Sequence, residues 1–417
     1  MRILHTADWH LGHRLYNRDR TPEHRAALDW LLQTIETEKI DLLIVAGDVF
    51  DVTNPSNQAK ELYYEFLAGL KQTCCASAVI VGGNHDSASL LDAPRDLLRA
   101  LNLYVVGGAD TCVSKRVFAV RGQEGKVIVA AVPYLRERDL RKARFGESNE
   151  ERLTALQEGI ERHFADIAAA AQELRGEEAI PIVATGHLFA GGASDDEEKK
   201  SYIYQANENN IEASQFPDCF DYVALGHVHR AQHVGGQDRI RYAGSLIPLT
   251  FVEGQRPRSV RIVELGAAGA PVNSYKLPLP FFRPLLRLSA ELKEVESRLI
   301  AAVKVCEPSQ AVTWAEVRVK TDSPLPNLRD KLVKVIEKTH DDPTTPLPIE
   351  LVRISRERIT PLTTAEREEE VQQLDELQPK QVFAQLCTGN ELPAGEVEQL
   401  LEDFVVLHNW WSEQRSL

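Results

Sequence analysis

Residues 41–51 read DLLIVAGDVFD. Asp41 to Ala46 is a short apolar run bounded by a turn signal, the pattern of a strand buried on both faces in a parallel sheet. It runs straight into Gly47 and Asp48, with Asp51 just beyond. The same order of events recurs along the chain. Arg2 to Thr6 leads to Asp8 and His10, Ala78 to Val81 leads to Gly83, Asn84 and His85, Pro181 to Thr185 leads to Gly186 and His187, and Tyr222 to Leu225 leads to Gly226, His227 and His229. In α/β folds, sites form at the carboxyl ends of strands because the loops converge there. Five apolar strands that each deliver a metal-capable side chain therefore point to one site built from distant segments.

Outward from these strands the pattern alternates with helices. Thr21-Pro22 is expected to cap a helix carrying Leu28, Leu31, Leu32 and Ile35, and Ser56 to open one carrying Leu62, Tyr63, Phe66 and Leu70. Lys126 to Val132 reads as a strand, and a long helix is expected over Asn149 to Leu174. A final strand pair, Arg239 to Ala243 and Ser259 to Leu265, completes a domain of residues 1–275.

The proline-rich stretch LPLPFFRP, 277–284, marks a boundary. Beyond it a βαβαβ pattern over 281–358 predicts a small α/β domain, with Ala315, Val317 and Val319 alternating against Glu316, Arg318 and Lys320 in its middle strand. From Thr364 the charge density rises, and residues 361–417 read as a helical tail. One helix begins near Pro379 with Val382, Phe383 and Leu386. A second follows Gly395 with Val397, Leu400, Leu401, Phe404, Leu407 and Trp411 on one wide stripe.

The chain has 417 residues, enough for two or three domains, with 43% hydrophobic and 26% charged residues. Its formal net charge of −14 gives no support to nucleic-acid binding. Two local stretches run the other way: Arg14, Arg18, Arg20 and Arg25, and RERDLRKAR at 136–144. Either could contact phosphates, although alternating charges usually mean a solvated face. None of the six cysteines forms a C-x-x-C pair, which fits reduced thiols in a cytoplasmic protein. MRILHTADWH lacks the apolar stretch of a signal peptide, and no run of about 18 apolar residues suggests a membrane span.

The candidate ligands are Asp8, His10, Asp48, Asn84, His187, His227 and His229, with His85 beside them. Mixed imidazole and carboxylate donors suit two divalent ions about 4 Å apart, and suit Mn, Fe or Zn better than Mg or Ca. Residues i and i+2 of an extended segment point the same way, so Asp8 with His10, and His227 with His229, can each grip an ion together. A bridge needs negative charge and two lone-pair faces, which makes the Asp48 carboxylate the natural one. Gly47, Gly83, Gly186 and Gly226 are expected to permit sharp turns without a Cβ clash.

The ordered set D-x-H, G-D, G-N-H-D, G-H and G-H-x-H resembles that of the calcineurin-like metallophosphoesterases. Within them, DWHLG, AGDVFD, GNHDS, ATGH and ALGHVHRAQ are most similar to the nuclease subunits of bacterial SbcCD complexes. The resemblance implies an α/β fold, a two-sheet β-sandwich flanked by helices, with a small α/β capping domain and a helical C-terminal tail. It implies one ion held by Asp8, His10, Asp48 and His229, the other by Asp48, Asn84, His187 and His227, and His85 facing the scissile phosphate without binding metal. The implied activity is Mn-dependent hydrolysis of DNA, as double-strand exonuclease and single-strand or hairpin endonuclease, in repair and recombination. The implied partner is an SbcC-type ABC ATPase whose coiled-coil base the tail grips, in a heterotetramer containing a homodimer of the nuclease.

Archaeal and eukaryotic relatives carry a histidine where this chain has Asp51, and protein phosphatases carry an aspartate there that orients the catalytic histidine. Asp51 is accordingly expected to orient His85. A phosphomonoesterase or cyclic-nucleotide phosphodiesterase with the same metal core is the alternative. Val52, where a protein phosphatase has arginine, and Asp51, where a purple acid phosphatase has tyrosine, disfavour two of its forms. A non-catalytic assembly platform is the third reading, disfavoured by the intact ligand set.

Overall fold

The computed structural model describes residues 1–359, apart from 110–111, 124, 143, 192–210, 307–310 and 341–343, together with 397, 399–401, 403, 404 and 407. In chain order the strands are β1 (Arg2–Thr6), β2 (Arg14–Leu15), β3 (Arg18–Asp19), β4 (Leu42–Ala46), β5 (Ser77–Val81) and β6 (Leu103–Val106). They continue with β7 (Val117–Arg121), β8 (Lys126–Ala130), β9 (Ile182–His187), β10 (Tyr222–Gly226), β11 (Gln232–Val234) and β12 (Gln237–Tyr242). The last are β13 (Ser259–Glu264), β14 (Asn273–Pro278), β15 (Leu285–Ala290), β16 (Thr313–Lys320) and β17 (Ile349–Glu357). The helices are α1 (Thr21–Thr37), α2 (Asn57–Leu70), α3 (Ala88–Asp92), α4 (Arg95–Ala100), α5 (Glu137–Leu140), α6 (Asn149–Arg175), α7 (Leu292–Val305) and α8 (Leu328–Thr339).

Alternation along β4 shows how the layers arise. All five of its side chains are buried, but they serve different cores. Leu43 and Val45 pack with Leu28, Leu31 and Ile35 of α1 and Leu62, Phe66 and Leu70 of α2. Leu42 and Ile44 pack with Val127, Val129, Val183, Tyr222 and Ala224 of a second sheet. The opposite face of that second sheet meets Leu156, Ile160, Phe164 and Ile167 of α6. The result is a two-sheet sandwich with helices on both outer faces, which is why its central strands are apolar without interruption.

The first sheet has the order β14-β13-β1-β4-β5-β6 and the second β11-β12-β10-β9-β8-β7. In each, four consecutive strands are parallel, β1-β4-β5-β6 and β12-β10-β9-β8, and so share one carboxyl edge. The strands 239–243 and 259–265, expected as a pair, lie in different sheets. β12 pairs with β10 and β11, while β13 pairs with β1 and β14. Period alone says which face a strand buries, not which neighbour it finds. Three further strands, β6, β7 and β14, are not anticipated from the sequence: β6 and β7 have only four and five residues, and β14 has most of its side chains partly or fully exposed.

Helix starts divide between agreement and correction. Ser56 does cap α2, accepting from the Ala59 N–H at 3.2 Å. Thr21 does not cap α1; Arg20 holds the cap position, and the Thr21 hydroxyl donates instead to Asp19. The long α6 starts at a reciprocal Ser148–Glu151 capping box.

The βαβαβ pattern after residue 281 is present as the sheet β15-β16-β17 with α7 and α8 and a core of its own. Met1–Val319 with Leu325–Ser355 forms one compact unit, and Lys320–Pro324 with Arg356–Leu417 a second. Of the tail, the described residues among 397–407 are helical. Val397, Leu401 and Phe404 are half-buried, while Leu400 and Leu407 are exposed. The helix expected near Pro379 and the end of the stripe at Trp411 lie outside the described residues. No helix among the described residues is long and apolar enough to cross a membrane.

The two sheets touch most closely at their carboxyl edge, where only small residues fit. Ala7, Ala46 and Ala243 form a buried cluster there, and a Cβ on Gly226 would stand 1.9 Å from the Ala46 carbonyl oxygen. Gly226→Ala is expected to destabilise the protein by at least about 1–3 kcal/mol, since overpacking forces the backbone to shift. Urea unfolding measures this, and wild-type stability would show that the strand ends have room to part.

Candidate metal centre

The first loop after β1 and the loop after β4 leave their sheet through backbone that few side chains tolerate. Asp8, His10 and Asp48 have φ of 51°, 47° and 50°, and His227, after β10, has φ 95°. Left-handed conformations at non-glycine residues cost energy and cluster at functional sites. Asp8 and His10 therefore converge through a left-handed turn rather than by alternation along an extended segment. The same kind of backbone separates His227 from His229, which face different neighbours. Of the four glycines singled out, only Gly47 has a positive φ, 92°. The others are there for close approach: a Cβ on Gly83 would meet Asp48 Oδ1 at 2.1 Å.

All the ligands read from the sequence come together. Asp48 Oδ2 lies 3.5 Å from His10 Nε2 and 3.2 Å from His187 Nε2, so this carboxylate stands between two groups of donors. On one side are Asp8, His10 and His229, with ligand atoms all within 4.8 Å of one another. On the other, Asn84 Oδ1 is 3.0 Å from both His187 Nε2 and His227 Nδ1. Asp8 belongs to both neighbourhoods, since Asp8, Asp48 and His187 form a second such cluster.

Each of three imidazoles is held by its outer nitrogen. His187 Nδ1 donates to the Ala46 carbonyl at 2.9 Å, His229 Nδ1 to Glu253 at 3.1 Å, and His10 Nδ1 meets Asp51 Oδ1 at 3.2 Å. This arrangement fixes the tautomer and leaves Nε2 as the lone-pair donor, as in metal-binding histidines. Two inner atoms, Asp8 Oδ2 and His10 Nε2, are buried with no hydrogen-bond partner. Buried polar atoms are rarely left so, and here both face the shared centre. Burial alone would lower the His187 pKa, but the Asp48 and Asp8 carboxylates outweigh it and raise it to about 9. Positive charge is thus in demand where the donors converge. The residues fit a dinuclear metal site, and none of them is a cysteine, which argues against a structural zinc.

His85 sits on the open side, half-buried, with its ring 4.8 Å from that of His10. Its Nδ1 donates to the main-chain carbonyl of Asp51 at 2.7 Å, and its backbone N–H to Asp48 Oδ1 at 2.9 Å. Asp51 therefore reaches His85 through its backbone. Its carboxylate, expected on His85, faces His10 and His13 instead, at 3.2 and 3.1 Å. These imidazoles hold it well below the usual carboxylate range against the opposing effect of burial.

Three supporting residues escaped sequence reading. His13 links Asp51 to the Leu249 carbonyl. Asp86, the last letter of GNHD, accepts from the N–H groups of Val49, Phe50 and Gly83, tying the loops after β4 and β5 together. Glu253 receives His229 Nδ1, the Ser245 hydroxyl and the Leu249 N–H, and lies 3.6 Å from Arg258. The D after G-N-H was visible as a motif member; Glu253 and His13 carried no signal.

Several arginines of the two basic stretches are paired with acidic residues. Arg20 is buried against Glu23 and Trp314, Arg18 pairs with Glu350, and Arg25 pairs with Glu65. In the second stretch Arg141 pairs with Glu137 and Glu147.

The site and sandwich define a class of protein. Residues 1–231 match the calcineurin-like phosphoesterase family, and residues 281–390 match the type 5 capsule protein repressor C-terminal domain. Three curated relatives are named as the SbcD component of the nuclease SbcCD. The one from Escherichia coli strain K12 is 34% identical over 421 residues, covering 100% of both chains. That from Rhodobacter capsulatus is 33% identical, covering 81% of this chain and 84% of its own. That from Bacillus subtilis is 31% identical, covering 72% and 75%. The chain belongs to the calcineurin-like phosphoesterases and, within them, to the SbcD family.

The Glu253–His229 contact is testable. Losing the outer partner of a metal-binding histidine typically costs about 10–100-fold in metal affinity. Glu253→Gln is expected to weaken divalent-ion binding by that factor in calorimetry. Wild-type affinity would leave Glu253 as a brace for the loop alone.

Proposed function

We propose that this chain is the Mn-dependent DNA nuclease partner of an SbcC-type ABC ATPase, cutting duplex ends as an exonuclease and single strands or hairpins as an endonuclease. The observation that carries the reading is the convergence of Asp8 Oδ2 and His10 Nε2, both buried without partners, on the Asp48 carboxylate that also faces His187. The full-length similarity to proteins named as the SbcD component of the nuclease SbcCD supports DNA as the substrate and SbcC as the partner.

Asp8, His10, Asp48 and His229 would hold one ion and Asp48, Asn84, His187 and His227 the other, with Mn preferred by this imidazole–carboxylate set. Two bound ions supply an activated water and neutralise the phosphoryl oxygens. The chain's own residues supply the rest. Because a carbonyl only accepts, His85 Nδ1 must carry a proton, and Nε2 is the nitrogen that exchanges one with substrate. In the imidazolium form it delivers that proton to the leaving oxygen. Asp51 positions it by the main-chain carbonyl and steadies His10 and His13 by its carboxylate.

The domain division we propose is 1–275 for the nuclease, 281–358 for the cap and 361–417 for a helical segment that binds the ATPase. The half-buried Val397, Leu401 and Phe404, with Leu400 and Leu407 exposed, support a helix that still has apolar surface for a partner. A homodimer within a heterotetramer, working in the cytoplasm in repair, recombination and replication, completes the reading.

Cleavage of duplex-end and hairpin DNA by the purified protein tests it. Chelation should abolish cleavage and Mn should restore it best; His85→Gln should keep its metal and lose about 10²–10⁴-fold in rate. Asp51→Asn should lose less, since the carbonyl on His85 remains. DNA left intact while a phosphomonoester turns over would establish the phosphomonoesterase reading instead. Removing residues 361–417 should abolish co-purification with the ATPase; a shortened chain that still co-purifies fully places the binding surface elsewhere.

A further inference from the structure

His229 borders a second feature besides the metal centre, a cavity of about 230 Å³ whose walls include Arg230, Arg256, Arg258 and Lys276. No acidic residue lines it among the described residues. Buried Arg258 pairs with the Glu253 carboxylate at 3.6 Å, which leaves three exposed cations around one cavity in a chain of formal net charge −14. Arg258 is buried, and its guanidinium donates to the His229 and Glu253 carbonyls, both at 2.6 Å, and to Ser245 Oγ at 3.2 Å. Arg230, Arg256 and Lys276 are exposed around it. Lys276 Nζ donates to the Ala231 carbonyl at 2.9 Å, which places its ammonium over the loop that follows the His-x-His pair.

The neighbouring strands add to this charge. The β13–β14 register sets Arg261 directly opposite Lys276, and like charges in directly opposed positions are destabilising. Burial, then Arg261, Arg241 and Arg230, push the Lys276 ammonium below its usual range. A bound anion would offset this repulsion. Guanidinium forks and an ammonium converging on one concavity suit a phosphate group. A second cationic cavity, with Arg95, Arg99 and Lys115, also contains Asp96 and borders no residue of the centre.

We propose that the cavity at His229 seats a backbone phosphate of the DNA strand being cut, neighbouring the scissile one. This rests on the nuclease reading above. His229 is common to the metal centre and to the cavity wall, so a strand whose scissile phosphate lay at the ions would bring a neighbouring phosphate toward Arg230, Arg256 and Lys276. The same chemistry would accept the phosphate of a free mononucleotide, and the test separates the two.

The test is the affinity of the Mn-loaded protein for a cleavage-resistant phosphorothioate oligonucleotide, followed by fluorescence anisotropy across a salt series. For every phosphate that is deprived of its cation, the slope of log K against log salt should fall by about 0.7–0.9. Arg256→Ala with Lys276→Ala takes two cations from the one phosphate and should weaken binding about tenfold at 0.1 M salt and lower the slope by about 0.7–0.9. Arg256→Lys, which keeps the charge, should retain most of the slope. Both side chains are largely exposed, so losing the Lys276–Ala231 hydrogen bond should lower the melting temperature of the double variant only slightly. An unchanged slope and affinity in the double variant overturns the proposal. So does weaker binding of deoxyadenosine monophosphate with oligonucleotide binding unchanged, which would make the cavity a mononucleotide site. Failure of the wild type to bind the oligonucleotide at all strikes the nuclease reading itself, a result visible before any variant is made.

Discussion

Two carboxylates, Asp8 and Asp48, are buried at 0% and 2% exposure beside the same imidazole, His187, which is itself inaccessible. Burying charge is costly unless a partner of opposite sign is held close. Against the effect of burial, the two carboxylates raise the pKa of His187 to about 9, a sign of how strongly they favour positive charge beside them. The carboxyl edges of both sheets are built around this requirement. Gly47, Gly83 and Gly226 lack side chains because one added carbon would strike His187, Asp48 or the Ala46 carbonyl. Asp8, His10, Asp48 and His227 accept left-handed backbone for the same reason. Strain of this kind survives only where the surroundings over-determine it.

What over-determines it is a layer of polar residues one step out. Asp86 is fully buried and binds three backbone N–H groups, from Val49, Phe50 and Gly83. Burial, with Asp48 adding to it, raises its pKa to about 6. Glu253 holds His229 while Arg258 and Ser245 hold Glu253, so one chain of contacts runs from the centre to the cationic cavity. The candidate metal donors and the cationic cavity therefore share a scaffold.

The loop after the first motif is anchored differently. Leu15 packs with Phe251, Leu285 and Trp314, and Tyr16 lies under the Arg353 guanidinium, which also pairs with Glu316. Glu316 is 1% exposed and is paired with Arg287, Arg318 and Arg353 together. It stands on the polar face of an alternating strand, and Tyr16 of the neighbouring loop reaches it. Of the arginines at 14–25, Arg18 pairs with Glu350 of the third sheet, Arg20 with Glu23 of α1, Arg25 with Glu65 of α2, and Arg14 bonds the Asn17 carbonyl within the loop. Closeness in sequence does not make a basic surface: the cavity cations come from three separate segments.

Sequence by itself determined the central strands, because burial on both faces leaves an unbroken apolar signature in DLLIVA and its counterparts. It also determined which residues would meet, since parallel strands end on a common edge and each carried its donor just past that edge. Tertiary structure alone decided the rest. Which sheet β12 and β13 join depends on neighbours that no local pattern names. Whether Asp51 serves His85 by carboxylate or carbonyl depends on a loop conformation, and here the carboxylate was taken by His10 and His13. Glu253 and His13 had no motif around them, because a supporting residue needs only to be near in space. Short-range patterning records burial and turns; partner choice among polar side chains is a long-range outcome of packing.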